Sequence, residues 1–483
     1  MHTFYWHDYE TWGANPAVDR PAQFAGIRTD ADFNIIGEPL VLYCKPPLDL
    51  LPQPEACLIT GITPQLAAER GVTEAAFIAA IHAELAQPGT CTVGYNSLRF
   101  DDEVTRYTLW RNFYDPYARE WQNRCSRWDI IDLVRSCRTL RPEGIEWPNH
   151  EDGSPSFKLE HLTAANGLSH ESAHDALSDV LATIAVARLV REKQPRLFDY
   201  YLRMRNKRDV ATLLDPAAGK PVLHISGRFP AATGCGTLVL PLARHPGNSN
   251  GVICFDLRSD PSPLLELDAE AIRARLFVSN AELQAQGLER IPLKTIHVNR
   301  CPMVATARLV DGTVAERLAL DLAACERHAA LLAGVDLQAK LAAVFTAGEA
   351  RRAEPADAEQ QLYGGFVSDA DRALLPDVRT ALPEQLDPDH FPFRDERLAE
   401  LLWRYRARNF PESLSVEQRA AWRSYCRERL LTPVASGALS YSAYCATLQQ
   451  LRDQHAHNAG RLALLDELAS WGDRLISEAA ANS

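Results

Sequence analysis

The sequence predicts an α/β domain with a mixed sheet, then a β-rich domain, then an all-α C-terminal region. Three observations carry this reading. An aromatic-rich strand opens the chain, and helix and strand patterns alternate behind it as far as residue 190. Short apolar runs separated by Gly and Pro fill residues 208–310. From Phe393 onward the apolar spacing is helical.

The first strand is read from Phe4 to Trp12, rich in aromatics and broken at Gly13. Residues 3–45 read as strands with a turn near Asp30-Ala-Asp32, so the sheet begins with antiparallel neighbours. Thr90 to Tyr95 has strand character, and Asp102 to Arg111 has helical character, with Val104 and Leu109 on one side. Leu181, Ile184, Ala185 and Leu189 recur at helical spacing, and the domain closes near Lys193-Gln-Pro195. The runs at Val222, Gly236, Gly251 and Leu293 are short strands and suggest a small barrel. Leu318 to Ala350 is helical by pattern, and Ala353 to Asp389, acidic and Pro-containing, reads as a loose connection. The boundaries expected are 1–193, 194–350 and 351–483.

Composition narrows the function classes. The 483 residues are 46% hydrophobic and 24% charged, as in a soluble globular protein. No run approaches 18 apolar residues and the N-terminus has no signal-like regions, so a cytoplasmic protein is expected. The eleven cysteines are scattered, with no C-x2-C pair, which argues for reduced thiols and against a zinc site. There is no phosphate-cradling G-x4-G-K-[ST] loop. The net charge of −12 means that a nucleic-acid partner would need a local basic stripe.

The chemistry-bearing pieces are Asp8-x-Glu10, then Asp101, then His174-x4-Asp179. On a strand, residues i and i+2 share a face about 7 Å apart. Asp8 and Glu10 therefore converge, and hard carboxylate oxygens at that spacing suit Mg2+ or Mn2+. Asp101 stands at a helix start, where an acid is also a good N-cap worth about 1 kcal/mol. Asp102 suits the same role, and spacing does not choose between them. On an ideal helix His174 and Asp179 lie about 140° apart. Both reach one site only if His174 lies at or before the helix N-terminus and the chain bends there. A helix start disfavours protonation of the imidazole and so favours a neutral base. Four carboxylates and a histidine suffice for metal-assisted hydrolysis of a phosphodiester.

Two stretches, Tyr114–Trp128 and Trp403–Phe410, interleave aromatics with arginines, and a third, Tyr201–Arg208, is strongly basic. Single strands are held by this mixture, phosphates by Arg and Lys and bases by aromatic faces.

The pattern D-x-E, N-x3-F-D, H-x4-D resembles the DEDDh branch of the proofreading exonucleases, which have an RNase H-like fold. More specifically, the chain resembles the exodeoxyribonuclease I family. Phrases along nearly the whole chain carry the likeness, among them His7-Asp-Tyr-Glu-Thr, Leu58-Ile-Thr-Gly-Ile-Thr-Pro, Arg99-Phe-Asp-Asp-Glu-Val-Thr-Arg106, Asn112-Phe-Tyr-Asp-Pro-Tyr117 and Tyr405-Arg-Ala-Arg-Asn-Phe-Pro411.

The resemblance implies an RNase H-like exonuclease domain, an SH3-like β-barrel domain and a helical C-terminal domain. It implies a single-strand-specific 3′→5′ DNA exonuclease of repair and recombination that releases 5′-mononucleotides. Asp8, Glu10, Asp101 and Asp179 would hold two Mg2+ ions, for which Mn2+ can substitute, and His174 would be the general base. The likeness favours Asp101 over Asp102. Arg106, Tyr117, Trp121, Arg135, Lys158 and Lys207 would touch the strand. Lys158 stands where the family phrase leads one to expect Arg, keeping the charge but not the two-pronged grip on a phosphate. The expected partners are single-stranded DNA and the acidic C-terminal tail of single-stranded DNA-binding protein, with a monomeric chain and no membrane. Two other readings are an exoribonuclease of the same branch and a binding adaptor on a vestigial nuclease fold. The large size argues against the first and the intact five-residue set against the second.

Overall fold

The computed structural model describes residues 2–170, 174–349, 357–432 and 437–480. Residues 171–173, just before His174, and 350–356, at the expected start of the third domain, lie outside the described residues. The chain forms two compact units. One comprises Met1–Ser126, His170–Ile184 and Glu354–Ser483; the other comprises Arg127–Ser169 and Ala185–Ala353.

In the first unit, β1 (Thr3–Thr11), β2 (Pro21–Thr29), β3 (Leu40–Tyr43) and β4 (Thr90–Gly94) lie in the order β3-β2-β1-β4. β1 runs antiparallel to β2 and parallel to β4, so the sheet is mixed. Alternation along β1 sorts its side chains. Tyr5 and Tyr9 join Phe24, Phe77 and Ile81 in one core cluster. Phe4 and Trp6 instead pack edge-on against Phe33. Asp8 and Glu10 share the parity of Trp6 and continue its face to the end of the strand.

The C-terminal helices of this unit are built into the same cores. Trp110 and Phe113 pack with Leu398, Leu402 and Tyr405, and Trp12, Cys57 and Ala67 with Tyr444, Leu468 and Trp471. A buried ion cluster ties the segments further. Arg20 meets Glu359 at 2.5 Å, and Arg408 meets Asp49 at 2.7 Å and also Glu359. Arg404 and Arg429 each reach Asp357 at 2.6 Å. Burial pushes the Glu359 carboxyl up, but Arg20, Arg408, Arg404 and Arg429 override it and hold it well below the usual range.

One expectation is corrected here. The 353–389 connection is not loose in its described part. It contains the helix Asp369–Thr380, capped by the Ser368 side chain, and Asp357 and Glu359 are drawn into the arginine cluster. The 403–410 stretch spends its arginines inside the fold. It belongs to the helix Glu396–Asn409, in which Arg404 and Arg406 are buried and Arg408 nearly so, all three bound to carboxylates or to the Ser413 carbonyl.

The second unit carries β6 (Val222–Ile225), β7 (Gly236–Arg244), β8 (Gly251–Asp256), β9 (Leu293–His297) and β10 (Met303–Thr306), following β5 (Ser126–Asp129) at the point of entry. They form an antiparallel sheet in the order β10-β6-β7-β8-β9. The helix Ala176–Lys193 runs from the first unit into the second. Its buried side is Val180, Ile184, Ala187 and Val190, whereas Leu181 of the expected stripe is exposed. All eleven cysteines are free and only Cys445 is exposed. Among the described residues no helix is long and apolar enough to cross a membrane.

Candidate active site

Asp8 and Glu10 project from the end of β1, opposite Ala25 and Gln23 of β2. Asp101 is the first residue of the helix Asp101–Arg111, and its Oδ1 accepts the Tyr9 N–H at 3.2 Å, directly between the two β1 carboxylates in sequence. Asp102, one residue on, faces a different group. Its Oδ1 takes Arg119 Nη2 at 2.7 Å, and both side chains are buried. The two candidates that spacing left open are therefore separated by their partners.

His174 solves the angular problem by its backbone. Its φ is +66°, a left-handed conformation uncommon outside glycine, and the helix begins only at Ala176. The His174 N–H turns back to donate to Asp179 Oδ2 at 3.2 Å. Asp175 receives the Ser178 N–H at 3.1 Å and caps the new helix. Glu10, His174 and Asp179 thereby offer ligand atoms all within 4.8 Å of one another.

The electrostatics are those of an unshielded acidic cluster. Burial pushes Asp8 well above the ordinary carboxylate range, and Asp101, Glu10 and Asp179 push it further. Burial, with Asp179, Asp101 and Asp175, lifts Glu10 to about 8. Burial also raises Asp179, against the lowering effect of His170 and His174. A carboxylate set that resists sharing its negative charge in a partly dry site fits a divalent cation, which removes the repulsion.

Sequence reasoning missed His170. Its Nε2 lies 2.6 Å from Asp179 Oδ1, so both oxygens of that carboxylate are engaged by the segment before the helix. Its only sequence signal is a second histidine four residues before His174.

Models of three families match the chain: Exonuclease over residues 5–187, Exonuclease I SH3-like domain over 205–347, and Exonuclease I C-terminal domain over 356–475. The exodeoxyribonuclease I of Escherichia coli is 48% identical over 476 residues, covering 98% of each chain. The chain belongs to the exodeoxyribonuclease I family. Exonuclease I from Methylocaldum szegediense superposes with a TM-score of 0.94 at 49% identity, covering 99% of this chain and all of that one. A zinc-bound complex of E. coli exonuclease I with single-stranded DNA superposes with a TM-score of 0.92 at 46% identity, over 99% and 100% of the two chains. The family's architecture is the one observed: an exonuclease domain with a mixed sheet, an SH3-like domain and helical C-terminal elements. Its exonuclease domain depends on divalent metal, in keeping with the acidic cluster.

The residues expected to touch a strand differ in how they are presented. In the first unit, Trp121 is 66% exposed and Tyr117 is half-buried. Arg106 is turned inward: it is buried, bound to Glu120 at 2.7 Å and Glu103 at 2.5 Å, and lies over the Tyr117 ring at 5.3 Å. In the second unit, Lys158 and Lys207 are exposed. Arg135 pairs with Asp132 at 2.6 Å and lies over Phe157.

Proposed function

We propose that this protein is a single-strand-specific 3′→5′ DNA exonuclease that releases 5′-mononucleotides and serves DNA repair and recombination. The observation that carries the proposal is the convergence of Asp8, Glu10, Asp101 and Asp179 beside His174, with the carboxyl groups of Asp8, Glu10 and Asp179 held above their ordinary pKa. Asp8, Glu10, Asp101 and Asp179 would hold two divalent ions, Mg2+ with Mn2+ as a substitute. When bound, such ions lower the pKa of a water and offset the charge that develops on the phosphate. His174, exposed and on a left-handed backbone beside Glu10 and Asp179, takes the proton from the attacking water. His170 fixes the orientation of the Asp179 carboxylate.

The strand is held by Tyr117 and Trp121 through base stacking. Arg106, which lies over the Tyr117 ring, braces it for stacking. Lys158 and Lys207 contact phosphates as point charges, and Arg135 does so beside Phe157. The protein acts as a monomer in the cytoplasm and binds the acidic C-terminal tail of single-stranded DNA-binding protein; the family resemblance supports this.

The test is digestion of 5′-labelled single-stranded DNA, single-stranded RNA and blunt duplex DNA, with Mg2+ and with EDTA. Rapid Mg2+-dependent shortening of the DNA single strand from its 3′ end is expected. Preferential shortening of RNA would move the protein to the exoribonuclease branch. Binding without cleavage in any divalent metal would make it an adaptor.

A further inference from the structure

A cavity of about 270 Å3 lies in the first unit, and none of the four clustered carboxylates lines it. Its charged and aromatic lining is His82, Tyr114, Asp115, Arg119, Arg372 and Arg379. Three arginines thus face one aspartate, and that aspartate is already engaged. Asp115 Oδ1 accepts the backbone N–H groups of Tyr117 at 2.9 Å and Ala118 at 3.1 Å.

The arginines are incompletely neutralised. Arg372 pairs with Asp369 at 3.1 Å, but Asp369 is 99% exposed, so water and salt screen the pair. Among the described residues Arg379 meets no carboxylate; it donates to the Phe113 carbonyl and lies 4.0 Å from the Tyr114 ring centroid. Arg119 spends Nη2 on Asp102 and, among the described residues, keeps a buried Nε without a hydrogen-bond partner. The surplus is felt by His82. Burial lowers its pKa to about 4, and Arg379 and Arg119 add to the lowering while Asp115 opposes it. A positive field inside a half-open cavity with room for several water-sized groups selects a compact anion. Guanidinium forks match tetrahedral oxyanions in particular.

We propose that this cavity is an oxyanion site that takes a phosphate group. Arg119 gives it a route to the acidic cluster. An anion that draws on Arg119 loosens its hold on Asp102, the neighbour of Asp101 in the first turn of the 101–111 helix. Phosphate occupancy therefore alters the metal requirement of the reaction. That last link rests on the exonuclease reading; the binding itself does not.

Binding is measured on the full chain in EDTA, without substrate, at constant ionic strength. Inorganic phosphate is expected to raise the melting temperature saturably and to raise the pKa of His82, followed by imidazole NMR, by about one unit. Arg379→Gln and the half-exposed Arg372→Gln should each abolish both responses, and Arg372→Gln keeps its own melting temperature and Mg2+-dependent digestion. Titration with dAMP and with a short single strand tells whether free phosphate, a mononucleotide or a backbone phosphodiester binds most tightly. An unmoved His82 titration at saturating phosphate, or equal phosphate responses in wild type and Arg372→Gln, would overturn the proposal. Failure of the digestion assay with an intact phosphate response would instead remove only the exonuclease reading.

Discussion

His170 Nε2 sits 2.6 Å from Asp179 Oδ1, while the other oxygen of that carboxylate accepts the His174 N–H. Asp179 is thus held at both oxygens, by the His170 side chain and the His174 N–H. Groups behind a metal ligand typically tune metal affinity by 10–100-fold. His170→Ala should therefore raise the Mg2+ concentration for half-maximal digestion by about tenfold. Strand affinity measured in EDTA should stay unchanged. An unaltered Mg2+ dependence would mean that His170 only packs.

The acidic cluster makes stability depend on pH and metal together. Glu10, at about 8 in the fold, and Asp8 and Asp179, also raised, bind protons more tightly folded than unfolded. A raised carboxyl pKa costs stability once pH exceeds the unfolded value, and the cost grows until the folded value is passed. The metal-free protein should therefore melt at lower temperature as pH rises from about 5 to about 8. Mg2+ should raise the melting temperature more at pH 8 than at pH 6, because at pH 6 it must displace protons. A metal-induced gain that is equal at both pH values would contradict the shared charge.

Asp101 and Asp102 should separate cleanly on mutation. Asp101→Asn removes a carboxylate from the cluster and should abolish Mg2+-dependent digestion with little loss of melting temperature. Asp102→Asn leaves Arg119, 1% exposed, without its ionic partner. Breaking a buried pair on one side costs about 3–5 kcal/mol. That variant should unfold at markedly lower urea concentration, while the folded fraction keeps its turnover at saturating Mg2+. The reverse pattern would exchange the two roles.

Strand alternation is a local rule, so a period of two is enough to set Asp8 and Glu10 on one face. The 140° separation of His174 and Asp179 is legible in the sequence as a demand for a bend, and φ of +66° at His174 meets it. The choice between Asp101 and Asp102 is not legible from spacing, since Arg119, which claims Asp102, lies 17 residues away. Arginine and aromatic residues at 403–410 have the same composition in a buried ion cluster as on a strand-binding surface. Their carboxylate partners, Asp49, Asp357 and Glu359, are distant in sequence, so only the fold tells the two apart.

Arg408 and Trp121 give the sharpest contrast between holding the fold and holding a strand. Arg408 is 9% exposed and bound to Asp49 and Glu359, both of which would be left buried beside an unfilled position in Arg408→Gln. The expected loss is about 3–5 kcal/mol, read as a shift in the urea midpoint. Affinity of the folded variant for a short single strand in EDTA should not change. Trp121 is 66% exposed, and its removal costs no core. Trp121→Ala should leave the urea midpoint in place and weaken strand binding by about 1–3 kcal/mol, the range for loss of one stacked base. If Arg408→Gln weakened strand binding at an unchanged midpoint, the 403–410 helix would be part of the strand surface after all.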